Sequence, residues 1–201
     1  MAVKSIEKKT KIHRLASTRR SVFDAFSYIN RLPDTPYDEE SSEEFSGRIF
    51  GRLANQEGRI LLKSPPGMSN LAYEGFKTFI QYEGDQRVGN CAACHTLPDF
   101  TDGKSHSVQP GMAKVPTTSL RNLNKSSQAL REIINQKINY ANIKQKGDTP
   151  KISDLYSTIR LDQNDVTALV TFIKLLQDVP EQTFRQLILD SEVFDPSGTP
   201  E

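Results

Sequence analysis

The segment Cys91-Ala-Ala-Cys94-His95 constrains this chain more than any other feature, because it holds both cysteines of the 201 residues. Two thiols separated by two residues and followed by an imidazole allow a disulfide, a metal site, a redox dithiol or a covalently attached haem. The haem fits because both thiols can reach the vinyl groups of one porphyrin while the histidine faces the iron. We therefore predict thioether bonds from Cys91 and Cys94 and proximal ligation by His95.

Two of the other interpretations need features that are weak or awkward here. A thioredoxin-like dithiol requires a C-x-x-C that follows a strand within a βαβ pattern, and strand signals are weak throughout the chain. A structural zinc ion requires four ligands, for which the nominal set is Cys91, Cys94, His95 and His106. The adjacent Cys94 and His95 would then have to bind one ion. A dithiol and a zinc module stay as alternatives from outside the haem class.

Apolar residues recur at helical spacing along most of the chain, which predicts an all-α fold. The predicted helices lie within residues 17–32, 41–62, 69–84, 126–140, 161–179 and 181–190. Ser42 is a possible cap of the second helix, and Asp162 caps the fifth. Residues 97–124 are rich in Pro, Gly, Ser and Thr and show no period, so we expect a long irregular loop there.

Composition narrows the possible partners. The hydrophobic fraction of 36% is low for a core built from side chains alone, and a large buried cofactor would add the missing apolar surface. Lys and Arg total 26 against 25 Asp and Glu, so the net charge of +1 favours neither nucleic acid nor a membrane surface. No apolar run could span a bilayer, and no apolar segment of a signal peptide follows the basic start.

Three segments, taken in order, carry a family resemblance: "LAYEGFKTFIQYEGDQRVGNCAACHTLPDFTDGKSHSV", "KVPTTSLRNL" and "RLDQNDVTALVTFIKLLQD". Over residues 69–178 they resemble the C-terminal haem domain of bacterial di-haem cytochrome c peroxidases and related methylamine-utilisation di-haem enzymes. "DTPYD" (34–38) is similar to the stretch that joins the two haem domains there. The resemblance implies a cytochrome c-like helical domain around one haem c, residues 41–201, after an N-terminal helical arm and connector, residues 1–40.

The resemblance also implies roles for residues beyond the cysteine motif. Arg121, in "SLRN", would lie near a haem propionate, with a surface salt bridge as the alternative. The family usually has a "PY-x-H-x-G" segment and then a Met ligand on the next helix. This chain lacks that segment, and Lys137 occupies the neighbourhood of that Met. Met112 is therefore the first candidate for the sixth iron ligand, and Lys137, Tyr140, His106 or an open site remain.

These observations predict a c-type cytochrome that carries single electrons through one haem c, between a redox protein donor and acceptor. The alternatives are the electron-transferring domain of a larger di-haem peroxidase-like enzyme and a haem-based sensor of small ligands. A complete peroxidase is not expected, since one C-x-x-C-H supplies one haem, and no catalytic residue is predicted. In bacterial proteins of this family haem c is attached outside the cytoplasm. This predicts a periplasmic protein whose export signal lies outside this sequence. No nucleic acid partner and no membrane span are expected.

Overall fold

Each helical segment predicted from the sequence overlaps one helix in the computed structural model, which describes residues 19–55, 62–82, 87–107, 113–145 and 158–193. The helices are α1 (Val22–Ile29), α2 (Ser42–Asn55), α3 (Asn70–Ile80), α4 (Ser127–Gln145), α5 (Gln163–Lys174) and α6 (Glu181–Val193). A 3₁₀ turn at Cys91–Ala93 and the two-residue strands β1 (Ser105–His106) and β2 (Val115–Pro116) complete the regular structure of these ranges. The predicted all-α class is confirmed.

Side-chain caps fix where the helices begin. The Ser69 hydroxyl accepts a hydrogen bond from the third amide of α3, and the Asp162 carboxylate accepts two amides of α5. The expected cap at Ser42 is wrong by one residue. Ser41 caps α2, because its hydroxyl accepts the Glu44 amide at 3.2 Å while the Glu44 carboxylate accepts the Ser41 amide at 2.9 Å. This reciprocal pair satisfies two backbone donors at once, which makes Ser41 the better start.

Helices α3 and α5 form the largest helix–helix contact among the described residues. They approach so closely that a Cβ atom built on Gly75 would lie 2.0 Å from the carbonyl oxygen of Ala168. The faces that meet there carry Phe76, Phe79 and Phe172, all fully buried. The ring centroids of Phe79 and Phe172 lie 5.3 Å apart. Glycine at position 75 therefore sets the distance between the two helices on which the core is built.

The helix of the N-terminal arm belongs to the same core. Phe23 of α1 places its ring centroid 5.4 Å from that of Phe76, 5.3 Å from Phe100 and 5.7 Å from Phe172. Such aromatic pairs stabilise a core beyond the area that they bury. The described part of the arm is thus packed against the helices of the predicted haem domain. The boundary at residue 40 stays a prediction.

The described part of residues 97–124 contains two short strands that the sequence does not predict. Strands β1 and β2 pair antiparallel, with Ser105 opposite Pro116 and His106 opposite Val115. The hydroxyl of Thr101 also donates to the carbonyl oxygen of Thr117 at 2.6 Å. The expectation of an irregular loop was wrong for these four residues, because strands of two residues are too short to show alternation. The pairing joins two segments of the chain that both follow the cysteine motif.

A bilayer-spanning helix needs about 20 predominantly apolar residues. The longest helix of the described ranges, α4, has 19 residues and includes Arg131, Glu132 and Lys137. Within these ranges, none of the helices combines the length and the apolar character that a membrane crossing requires.

Candidate haem-attachment site

The two cysteines and the histidine lie on a tight turn that follows α3. The amide of His95 donates to the Cys91 carbonyl oxygen at 2.9 Å, and the amide of Cys94 donates to the same oxygen at 3.3 Å. Asn90 precedes the turn in the left-handed region, with a φ of 48°, which asparagine tolerates better than most residues. Both thiols are free, so no disulfide joins them in this structure. The turn holds the three side chains of the motif within one short loop.

The environment of the thiols is unlike that of a redox dithiol. Burial raises the pKa of Cys91 to about 12 and that of Cys94 to about 11, and the carboxylate of Asp102 adds to the effect on Cys94. Oxidoreductase cysteines need the opposite shift, because the thiolate is the reactive form. At neutral pH both sulfurs are therefore protonated and weakly nucleophilic. This observation disfavours the dithiol interpretation.

His95 is held in the one tautomer that a metal ligand of this type requires. Its Nδ1 atom lies 3.0 Å from the carbonyl oxygen of Phe100, and since a carbonyl only accepts, Nδ1 carries the proton. Burial lowers the pKa of the imidazole, which favours the neutral ring. The lone pair is then on Nε2. A neutral histidine with Nδ1 bonded to a backbone carbonyl is the usual arrangement behind a metal-bound imidazole.

Phe100, which anchors His95, is itself fixed by the core. Its side chain is fully buried, and its φ of 54° is rare for a bulky residue. That conformation is stabilised by the surrounding core, in which the Phe100 ring contacts Phe23, Phe79 and Phe172. The orientation of the imidazole is therefore set by residues of α1, α3 and α5 together. The donor set of Cys91, Cys94 and neutral His95 fits a covalently attached haem.

Gly89 brings the motif close to the end of α3. Its amide donates to the Thr78 carbonyl oxygen at 3.2 Å. A Cβ atom at position 89 would lie 2.4 Å from that oxygen and 3.4 Å from the sulfur of Cys91. Only glycine allows this approach, so Gly89 helps to position the first cysteine. Gly89 is not among the site residues predicted from the sequence, although a glycine two residues before the first cysteine is a visible signal.

A second group of polar residues lies beside Cys94. The carboxylate of Asp102 accepts a hydrogen bond from His106 Nε2 at 2.6 Å, and the Asp102 side chain is only 2% exposed. The ligand atoms of Cys94, Asp102 and His106 all lie within 4.8 Å of one another. This is not the zinc set considered from the sequence, since His95 and Cys91 are absent from the group. A haem attached to Cys94 would also occupy its sulfur, so the two uses of that residue compete.

The guanidinium of Arg121 forms an ion pair with a carboxylate of the same chain. Its two terminal nitrogens donate to both oxygens of Asp24, at 3.0 and 2.8 Å, and its Nε donates to the Pro98 carbonyl oxygen at 2.9 Å. The Arg121 and Asp24 side chains are 12% and 10% exposed, so this is a buried ion pair rather than the surface pair considered from the sequence. The pair ties α1 to the loop after the haem motif. The predicted contact of Arg121 with a propionate stays a prediction.

The candidates for the sixth iron ligand lie in different places. Met112 is outside the described residues. Lys137 is half-buried on α4, and its charge acts on both Cys94 and His95. Tyr140, also half-buried, has its ring centroid 5.9 Å from the Lys137 amine. The Nε2 atom of His106 is hydrogen-bonded to the Asp102 carboxylate. The identity of the sixth ligand stays a prediction.

A sequence profile of the cytochrome c family matches residues 74–177, which is more than half of the chain and includes the cysteine turn, α4 and α5. Neither the curated proteins nor the solved structures yield a match. Members of the matched family bind haem covalently and transfer electrons between redox partners. By this match, and by the fit of its donor set, the chain belongs to the cytochrome c family.

Proposed function

We propose that this protein is a mono-haem c-type cytochrome in which Cys91 and Cys94 hold the haem and His95 is the proximal ligand. The observation that carries the proposal is the hydrogen bond from His95 Nδ1 to the Phe100 carbonyl, formed beside two free thiols. When bound, the haem supplies an iron that changes between two oxidation states and so accepts or donates one electron. The chain supplies the attachment, the proximal nitrogen and the burial.

The residues around the site tune the proximal nitrogen. Donation from Nδ1 to a carbonyl raises the basicity of Nε2, which stabilises the more highly charged iron. Phe100 also prevents rotation of the imidazole, because its backbone and ring are both fixed in the core. The buried Asp102 adds negative charge beside Cys94. These groups favour a defined, rigid ligand geometry, as electron transfer without bond rearrangement requires.

Mass spectrometry tests haem attachment directly. We expect the holoprotein to keep the added mass of one haem after acid treatment and extraction, because thioether bonds survive conditions that break iron–ligand bonds. Absorbance in alkaline pyridine should show thioether-linked haem at one per chain. The matched control is the Cys91→Ser, Cys94→Ser double variant, which should lose all of the acid-stable haem. A wild-type mass equal to that of the bare polypeptide would refute the proposal.

The second candidate is the electron-transferring domain of a larger di-haem enzyme. One structural observation favours it, in addition to the resemblance. Arg19 donates to the backbone oxygen of Asp34, in the "DTPYD" segment, and forms an ion pair with Asp99 at 3.3 Å. The segment that resembles an interdomain joint is therefore tied to the loop after the haem motif. A joint fixed in this way could align a second haem domain.

Peroxide turnover separates the two candidates. We expect this chain alone to show negligible reduction of peroxide with a reduced donor, because it has one haem motif and lacks the "PY-x-H-x-G" segment. Steady-state assays at increasing peroxide concentrations provide the measurement, with free haem as the background control. Turnover in the range of ordinary enzymes, about 1–1000 per second, would contradict the mono-haem carrier.

The proposed location is the periplasm, where haem is attached covalently to the bacterial proteins that this chain resembles. The proposed partners are a redox protein donor and a redox protein acceptor. Fractionation of cells that produce the full protein tests the location, since haem-stained chain should appear in the fraction released by osmotic shock. Recovery of the stained chain only with cytoplasmic markers would contradict it.

A further inference from the structure

A cavity lies between α1, the connector that follows it, α2 and the segment after the haem motif. Its volume of about 720 Å³ is within the range of about 300–1,000 Å³ that is typical of sites for small molecules. Its apolar lining includes Phe23, Ile29, Leu32, Phe45, Ile49 and Leu97. The described residues that line the cavity do not include Cys91, Cys94 or His95. The cavity is therefore separate from the haem-attachment site, and the function proposed above does not use it.

Basic side chains predominate among the charged residues of the lining. Four of them are opposed by two acidic side chains, whereas the whole chain has a net charge of only +1. Two of the four have acidic partners. Arg121 forms its buried ion pair with Asp24, and Arg19 forms one with the exposed Asp99. These pairs are neutral, so the charge of the cavity depends on the residues that remain.

Arg31 and Lys63 are the basic residues of the lining that have no ion pair within the described part of the chain. Both are exposed, so they lie at the opening of the cavity. The side chain of Asn30, the residue before Arg31, bonds the backbone of Lys63 twice: it donates to the carbonyl oxygen at 2.8 Å and accepts the amide at 2.8 Å. The remaining acidic residue of the lining is Asp34, which is also exposed. Two unpaired cations against one carboxylate make the opening attractive to an anion.

We propose that this cavity binds an organic anion with an apolar body, of the class of medium-chain fatty acids. The carboxylate lies at Arg31 and Lys63, since guanidinium and ammonium groups both donate charge-assisted hydrogen bonds to carboxylate oxygens. The hydrocarbon chain contacts the apolar lining, which removes its surface from water. A small inorganic anion would leave the apolar walls in contact with water, and a neutral hydrocarbon would leave the two cations without a partner.

Calorimetric titration of the purified full chain tests the proposal with three probes. Octanoate has both the charge and the apolar body, 1-octanol has only the apolar body, and acetate has only the charge. We expect octanoate to bind saturably at one molecule per chain, with a Kd of about 1 mM or lower. Octanol should bind about 2–30-fold more weakly, which corresponds to the loss of two exposed ion pairs. Acetate should show no saturation over the same range of concentrations.

The double variant Arg31→Glu, Lys63→Glu locates the site. Both side chains are exposed and unpaired, so the variant should fold, and repulsion should weaken octanoate binding by more than the loss of the two ion pairs alone. The matched control is Lys114→Glu, Lys125→Glu, which changes the net charge equally at exposed lysines outside the lining and should keep the wild-type affinity. Ser27 of α1 is half-buried and lines the cavity, so Ser27→Trp should occupy part of the space and also weaken binding.

Several outcomes would overturn the proposal. These are the absence of saturable octanoate binding to the wild type, and an affinity for octanol or acetate equal to that for octanoate. An equal loss in the Lys114→Glu, Lys125→Glu control would show that net charge alone acts, and wild-type affinity in the Arg31→Glu, Lys63→Glu variant would place the bound octanoate elsewhere. Acid-stable haem is measured in the same samples, so a failure of the proposed haem site is detected separately.

Discussion

Replacing His95 with alanine is expected to lower the yield of mature holoprotein by about tenfold or more, since loss of even a hydrogen-bond partner behind a metal ligand costs about 10–100-fold. The substitution removes the one nitrogen that the Phe100 carbonyl orients for the iron. No other histidine lies within the turn, and the two thiols would hold a haem without its proximal ligand. Haem absorbance per polypeptide in purified protein, together with haem staining after denaturing electrophoresis, gives the measurement.

The matched control is the histidine on β1. His106→Gln keeps an amide donor near the position of Nε2, so the variant avoids leaving the buried Asp102 carboxylate without a partner. We expect His106→Gln to mature and to keep the visible spectrum of the wild type. A His95→Ala protein with the wild-type spectrum and yield would show that the proximal ligand lies elsewhere, and a loss confined to His106→Gln would indicate His106 as that ligand.

What could be predicted from the sequence depended on local signals. The six helices could be predicted because their apolar residues recur at helical spacing within continuous segments of the chain. The start of α5 could be predicted from Asp162, because this carboxylate binds amides that lie only two and three residues later. The haem motif is also local, since Cys91, Cys94 and His95 occupy five consecutive positions. The error at Ser42 has a local cause too. Two adjacent serines are both possible caps, and only the bond to Glu44 decides between them.

Other features that the sequence did not predict depend on contacts between segments that are distant in the chain. Arg121 lies 97 positions from Asp24, so its buried partner could not be deduced from "SLRN". The carbonyl of Phe100 orients His95 because Phe100 is fixed by rings from three helices, which no spacing rule contains. The half-buried position of Lys137 follows from the packing of α4. Tertiary contacts thus turn a short sequence motif into a site in which His95 has one defined tautomer.

Gly75→Ala is expected to destabilise the protein by more than the 1–3 kcal/mol typical of an overpacked core. The added Cβ would lie 2.0 Å from the oxygen and 2.4 Å from the carbon of the Ala168 carbonyl. These are backbone atoms of a helix, so relief requires α3 and α5 to separate and the aromatic core between them to repack. For a chain of this size, each kcal/mol lowers the melting temperature by about 2–4 °C. Thermal unfolding of the holoprotein, followed by far-ultraviolet circular dichroism, measures the shift.

The same substitution at Gly47 is expected to change the stability in the opposite direction. Gly47 lies within α2, and a Cβ atom there would meet no heavy atom within 4 Å. Alanine should therefore raise stability by about 0.5–1 kcal/mol, because it restricts the unfolded chain and favours the helix. Equal midpoints for Gly75→Ala and the wild type would show that α3 and α5 do not approach this closely. A loss of stability in both variants would mean that the cost is not the contact with Ala168. If Gly75→Ala lowers stability and Gly47→Ala raises it, the loss comes from the crossing of α3 and α5. The same crossing supports the core and, through Phe79 and Phe100, the orientation of His95.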